Sequence, residues 1–135
     1  MAYWLAKTEP ESYSYTDLEK LGRDRWNGVK NFAALKHISK MVPGDLVFIY
    51  HTGKEKAIIG VAEVVSHAYQ DPNETDERFI LADVEPRYRL TRPVTLKEIK
   101  ANPVFQEWEL VRLSRLSVMP VIPEHWQLIH AMAKQ

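Results

Sequence analysis

Short apolar runs punctuated by turn signals dominate the first two-thirds of the chain. Ala2 to Ala6 is short and aromatic-rich and reads as a strand, stopped before Pro10. Leu46 to Tyr50 follows the turn Pro43-Gly44-Asp45 and is rich in strand formers; Ala57 to Val65 repeats the pattern after the loop His51 to Lys56. The pair predicts an antiparallel hairpin with a longer connection. Phe79 to Leu90 reads as one or two strands around Pro86. Helical spacing follows polar caps. Thr16 and Glu19 stand as a capping box for a short helix ending at Gly22, and Thr95 with Glu98 does the same for a helix to Ala101. Phe32, Leu35, Ile38 and Met41 give the segment Asn31 to Met41 one apolar helical face. Leu113 to Ile122 reads as irregular or extended, and Pro123 opens a last helix with Trp126, Ile129 and His130 on one side. Strands outnumber helices and most lack a helical crossover. The expected fold is therefore α+β, a mostly antiparallel sheet or small barrel with short helices at its rim.

Composition narrows the function classes. The 135 residues are 45% hydrophobic, enough to pack a core, and residues 1–135 read as one domain. Eighteen basic residues balance eighteen acidic ones, which argues against holding nucleic acid mainly by bulk phosphate attraction. Asp71, Glu74, Asp76 and Glu77 face only Arg78 in one loop, and such a loop repels phosphate, so any nucleic-acid face is expected elsewhere. Without cysteine there is no disulfide, thiolate zinc site or thiol nucleophile. The longest clean apolar run, Leu46 to Tyr50, is far short of the roughly 18 residues of a membrane span. A cytoplasmic monomer that does not engage membranes is the expectation. No Gly-rich phosphate loop, nucleophile elbow or His-Glu-x-x-His helix occurs, and the five histidines lack ligand spacing, so neither cofactor nor metal is expected.

What remains is polar chemistry beside strand ends and aromatics. Lys7-Thr8-Glu9 closes the first strand, Trp26 to Asn31 leads into the long helix, Tyr50-His51-Thr52 ends the second strand, and Arg115-Leu116-Ser117 sits late. An aromatic plane among amides, hydroxyls and cations is what recognises a flat heterocycle, by stacking and edge hydrogen bonds. Each residue also has a plain structural role open to it: Trp26 as a rim aromatic, Asn31 as an N-cap, Lys7 and Glu9 as a surface pair, His51 and Thr52 as turn residues.

At these residues the chain resembles the EVE domain family of the PUA-like superfamily. The matching segments are Trp4 to Pro10 (WLAKTEP), Trp26 to Asn31 (WNGVKN), Gly44-Asp45, Phe48 to Thr52 (FIYHT), Gly60 to Val64 (GVAEV), Tyr69 to Pro72 (YQDP) and Arg115 to Val118 (RLSV), in family order. The resemblance implies a PUA-like pseudo-barrel and a non-catalytic pocket for a modified nucleobase, flipped or unpaired, in DNA or RNA, similar in kind to those of YTH and SRA domains. It implies Lys7, Thr8, Glu9, Trp26, Gly28, Val29, Asn31, Tyr50, His51, Thr52, Arg115, Leu116 and Ser117 as base-binding candidates and Lys30 as a phosphate contact. After Gly28-Val29 the family pattern Arg-Asn-Tyr-Gln-Ala-Arg is replaced by Lys30-Asn31-Phe32-Ala33-Ala34-Leu35, losing a hydroxyl, an amide and a second guanidinium. Two alternatives stand beside the reader: an ASCH-like ribonuclease or nucleotide hydrolase using Lys7, Glu9 and His51, and a sensor of free nucleosides.

Overall fold

The computed structural model describes all 135 residues. In chain order the elements are β1 (Tyr3–Thr8), α1 (Tyr15–Leu21), β2 (Asp24–Trp26), α2 (Phe32–Ile38), β3 (Leu46–His51), β4 (Ala57–Val64), β5 (Tyr69–Gln70), β6 (Ile80–Thr95), α3 (Leu96–Ala101), α4 (Glu109–Arg112), β7 (Val118–Val121) and α5 (Pro123–Ala133). The sheet runs β2-β6-β4-β3-β1-β7, with β5 also paired to β6. Only β1 and β3 run parallel; the other pairings are antiparallel, as the short connections led one to expect. The result is a mixed sheet curled into a half-barrel.

Curling comes from β6. Its register against β4 slips where Gly60 faces Arg89 while Ile58 faces Val94, leaving Leu90 to Pro93 as surplus length that bends the strand. Gly60 is required there because a Cβ would lie 2.8 Å from the Tyr88 carbonyl and 2.9 Å from the Tyr15 ring. The Tyr15 hydroxyl donates to the Val61 carbonyl at 2.8 Å, pinning α1 across the bend.

The core lies between the sheet and α1, α2 and α5. Trp126 is sandwiched between Tyr3 and Phe48, with ring centroids 4.4 and 4.0 Å away. Asp45 is a buried carboxylate with three donors: the Ala2 amide (3.0 Å), the Trp4 indole (3.0 Å) and the Val42 amide (3.1 Å). It joins the start of β1 to the turn before β3, which sets the two strands in parallel register.

Several boundaries differ from those read in the sequence. The capping box of α1 is Ser14 with Asp17, two residues earlier than Thr16 and Glu19. Those two side chains instead face Arg89, which donates to both. Helix α2 stops at Ile38, and Met41 packs into the core from the tightened turn that follows. Part of the extended stretch 113–122 is a true strand, β7, because β1 offers its free edge there. The strands β2 and β5 and the single turn α4 carry no periodicity and are visible only in their pairing or packing.

The capping box of α3 forms as the spacing predicts, and Arg92 adds a paired contact to Glu98 at 2.7 and 3.0 Å. Arg92, then the Thr95 amide, hold the Glu98 carboxyl down at about 2, against 4.5 for an ordinary glutamate. A depressed carboxyl contributes stability above the unfolded value and loses it as pH falls toward the folded one. The pair is about one-third exposed, so screening reduces the benefit. Glu98→Gln is expected to cost about 1 kcal/mol at pH 7, a gap that closes as pH falls from 4.5 toward 2, read from urea midpoints across that range.

Candidate functional site

The end of β1 and the segment from β2 to α2 enclose a cavity of about 400 Å³. Its wall comprises Lys7, Thr8 and Glu9 from the strand end, Tyr13 from the loop before α1, Asp24 to Lys30, and Ser117. Backbone bonds explain how distant segments meet. The Lys7 amide donates to the Ser117 carbonyl at 2.8 Å, and the Glu9 carbonyl accepts from Tyr13 at 2.8 Å, folding the loop back over the strand end. Gly28, with φ of +77°, turns the chain from β2 toward α2 with open space around it.

Aromatic exposure singles out one ring. Of the four tryptophans, Trp4, Trp108 and Trp126 are core residues at 5, 3 and 6% exposure. The Trp4 and Trp108 indoles already donate, to Asp45 and to the Pro120 carbonyl. Trp26 alone is half-buried and lines the cavity, held by its pairing with Ala82 on β6 and by Tyr13, whose ring meets it edge-on at 6.2 Å.

Polar groups of both signs surround it. The Tyr13 hydroxyl is buried and has no hydrogen-bond partner; burial, then the nearby Asp24 carboxylate, push its pKa up, so it stays a neutral donor. Burial lowers the Lys7 ammonium from its ordinary value, and the group donates to the Ser114 carbonyl at 3.0 Å, beside the Tyr50 ring. Thr8 donates to the Tyr13 carbonyl at 2.7 Å. The side chains of Glu9 and Asn27 are exposed, and Arg25 is in no ion pair.

The structure therefore brings together Lys7, Thr8, Glu9, Trp26, Gly28, Val29, Ser117 and Lys30 among the sequence candidates, and leaves others apart. Asn31 is an N-cap, its side-chain oxygen accepting from Ala33 and Ala34 at 2.8 and 3.1 Å. His51 is buried between α1 and β3. Its Nε2 accepts from the Tyr15 amide at 3.0 Å, and its Nδ1 faces Glu55 at 3.1 Å, so neither nitrogen reaches the cavity. The cluster of Lys7, Glu9 and His51 that a hydrolase would use is not assembled here. Leu116 belongs to the core, and Arg115 is an exposed side chain off the cavity wall. Tyr50 and Thr52 line a neighbouring cavity of about 270 Å³ instead.

Lys30 is not a free cation. Its ammonium pairs with Glu74 and lies 4.3 Å from the centre of the Phe79 ring. Glu74 thus brings the acidic loop to the cavity rim, where the sequence placed it away from any binding face. Part of that loop's charge is offset: Arg78 pairs with Asp76 and holds its carboxyl at about 2, Lys30 pairs with Glu74, and the buried Asp71 accepts from the Asn73 amide. The family departures at Phe32 and Leu35 follow the same packing, Phe32 stacking on Phe79 and Leu35 entering the core. No group of three or more histidine, aspartate or glutamate side chains is placed to hold a metal ion, and no helix is long and apolar enough to cross a membrane.

A curled mixed sheet closed into a half-barrel, with a few short helices, is a PUA-like fold. The EVE domain model matches residues 2–132, and the chain belongs to that family. It is similar to Rpa0253 of Rhodopseudomonas palustris, with TM-score 0.94 and 38% identity over 99% of this chain and 94% of that one. Human THYN1, whose crystal structure is in complex with 5-methylcytosine containing DNA, gives TM-score 0.91 and 25% identity, covering 100% of this chain and 99% of that one. The ASCH protein of Zymomonas mobilis shares the fold alone, with TM-score 0.62 and 13% identity over 97% of this chain and 95% of that one.

Proposed function

We propose that the chain is a non-catalytic nucleic-acid-binding module that takes a modified nucleobase, flipped or unpaired, against Trp26. The observation that carries this is the solitary position of Trp26: the one tryptophan that is not buried, on the wall of a cavity large enough for a small ligand. Only three of the twelve lining residues are hydrophobic, which suits a polar heterocycle rather than a greasy ligand. Asp24 and Glu9 are acceptors only, the groups that take an exocyclic amine such as the cytosine N4. Val29 is the one aliphatic side chain on the wall and offers apolar contact to a base methyl. THYN1's complex with 5-methylcytosine DNA supports the same ligand class for this relative.

Asp24→Asn keeps the shape of the wall and replaces a charged acceptor. It is expected to weaken binding of a 5-methylcytosine oligonucleotide about threefold to tenfold, with thermal stability unchanged. Fluorescence anisotropy on labelled single strands, with cytosine and thymine controls, reads this. Equal affinity of variant and parent would remove Asp24 from the base edge, and cleavage of the oligonucleotide during incubation would replace the reader with an enzyme.

A further inference from the structure

Beyond the Trp26 cavity, Lys54, Lys56, Lys97 and Lys100 converge on a second groove of about 460 Å³. None is in an ion pair, and all four are exposed. The single carboxylate on this groove, Glu55, faces His51 at 3.1 Å. Four like charges against one carboxylate leave a net repulsion, so such a cluster is relieved by an anion from outside. The fold holds the cluster rather than leaving it to chance. Lys56 is the only non-glycine residue with positive φ, at 44°, and its carbonyl accepts from the Leu96 amide at 2.7 Å. That bond locks the β3–β4 loop, with Lys54 and Lys56, against the start of α3. Lys97 and Lys100 are three apart on α3 and so share one face.

Shared lining residues link the groove to the base cavity through an intermediate one. Lys56, Leu96 and Lys100 also line the intermediate cavity, as does Lys7, and Lys7 is itself on the Trp26 wall. We infer that the lysine groove carries the phosphodiester backbone of the strand whose base enters the Trp26 cavity. This rests on the proposed reader function and adds where the strand runs. It also explains how a chain of zero net charge can hold a polyanion: the charges are segregated, with four lysines gathered here and an acidic excess in the loop from Asp71 to Arg78.

The test is the salt dependence of binding for Lys54→Gln/Lys97→Gln/Lys100→Gln against an equal-charge control, Lys20→Gln/Lys40→Gln/Lys134→Gln, whose lysines are exposed elsewhere. Each single-strand phosphate neutralised contributes about 0.7 to the slope of log affinity against log salt, so the groove variant should flatten it by about 2 and the control by far less. Lys56 is left in place because its backbone is strained. Two probes are titrated, an unmodified dodecathymidylate and a strand of equal length carrying one 5-methylcytosine. If both show the groove-dependent slope but neither is preferred, the groove stands and the base reading falls. If the modified strand is preferred and the two variants share one slope, the groove falls and the base reading stands. A parent protein that binds neither strand overturns both.

Discussion

Asp45→Ala is expected to remove about 3–5 kcal/mol of folding stability, a large share of the roughly 5–15 kcal/mol typical of a domain. The carboxylate is 1% exposed and accepts from three donors, the Ala2 amide, the Trp4 indole and the Val42 amide. Truncation leaves the buried Trp4 indole and two part-buried amides without that partner, and hydrogen bonds to a charged acceptor are the costly ones to lose. The consequence reaches the Trp26 cavity, because β1 carries Lys7 and Thr8 at its far end and its register on β3 starts at Leu46, next to Asp45. Urea unfolding reads the loss as a lower midpoint at unchanged slope. A cost below about 1 kcal/mol would show that water replaces the carboxylate and that the strands hold register without it.

Trp26→Ala is expected to weaken binding of a 5-methylcytosine strand at least tenfold, since stacking of a base on an aromatic side chain is worth about 1–3 kcal/mol. The ring is half-buried at the sheet edge, so part of its area also packs against the core. Trp26→Phe separates the two roles. It keeps an aromatic face and should recover part of the affinity, whereas a purely structural ring would leave affinity and stability falling together. Equal affinity of Trp26→Ala and parent would exclude stacking at this wall.

How much of this was legible in the sequence depends on the range of the interactions. The hairpin β3–β4, the cap of α3 and the start of α5 follow from local signals, and all form where the pattern places them. Strand β2 is three residues long and owes its existence to β6, some sixty residues away, so no local periodicity marks it. The same lack of a local signal hides Asp24, Arg25 and Asn27, which join the Trp26 wall only because β2 and the turn after it are placed by β6. Tyr13 arrives through backbone bonds to Glu9, which nothing in its sequence neighbourhood announces. His51, Asn31 and Leu116 lie inside family motifs yet serve packing and capping. A motif marks residues under constraint and does not distinguish a ligand contact from a buried latch.

Base capture by Trp26 is tested most directly by the four indole N–H signals in a nitrogen–proton correlation spectrum during titration with a 5-methylcytosine single strand. Trp4, Trp108 and Trp126 are buried and serve as internal controls. The Trp26 indole and the Asn27 and Gly28 amides should shift together and saturate, with the other three indoles unmoved. A strand that binds while the Trp26 indole stays in place would contradict base capture in this cavity.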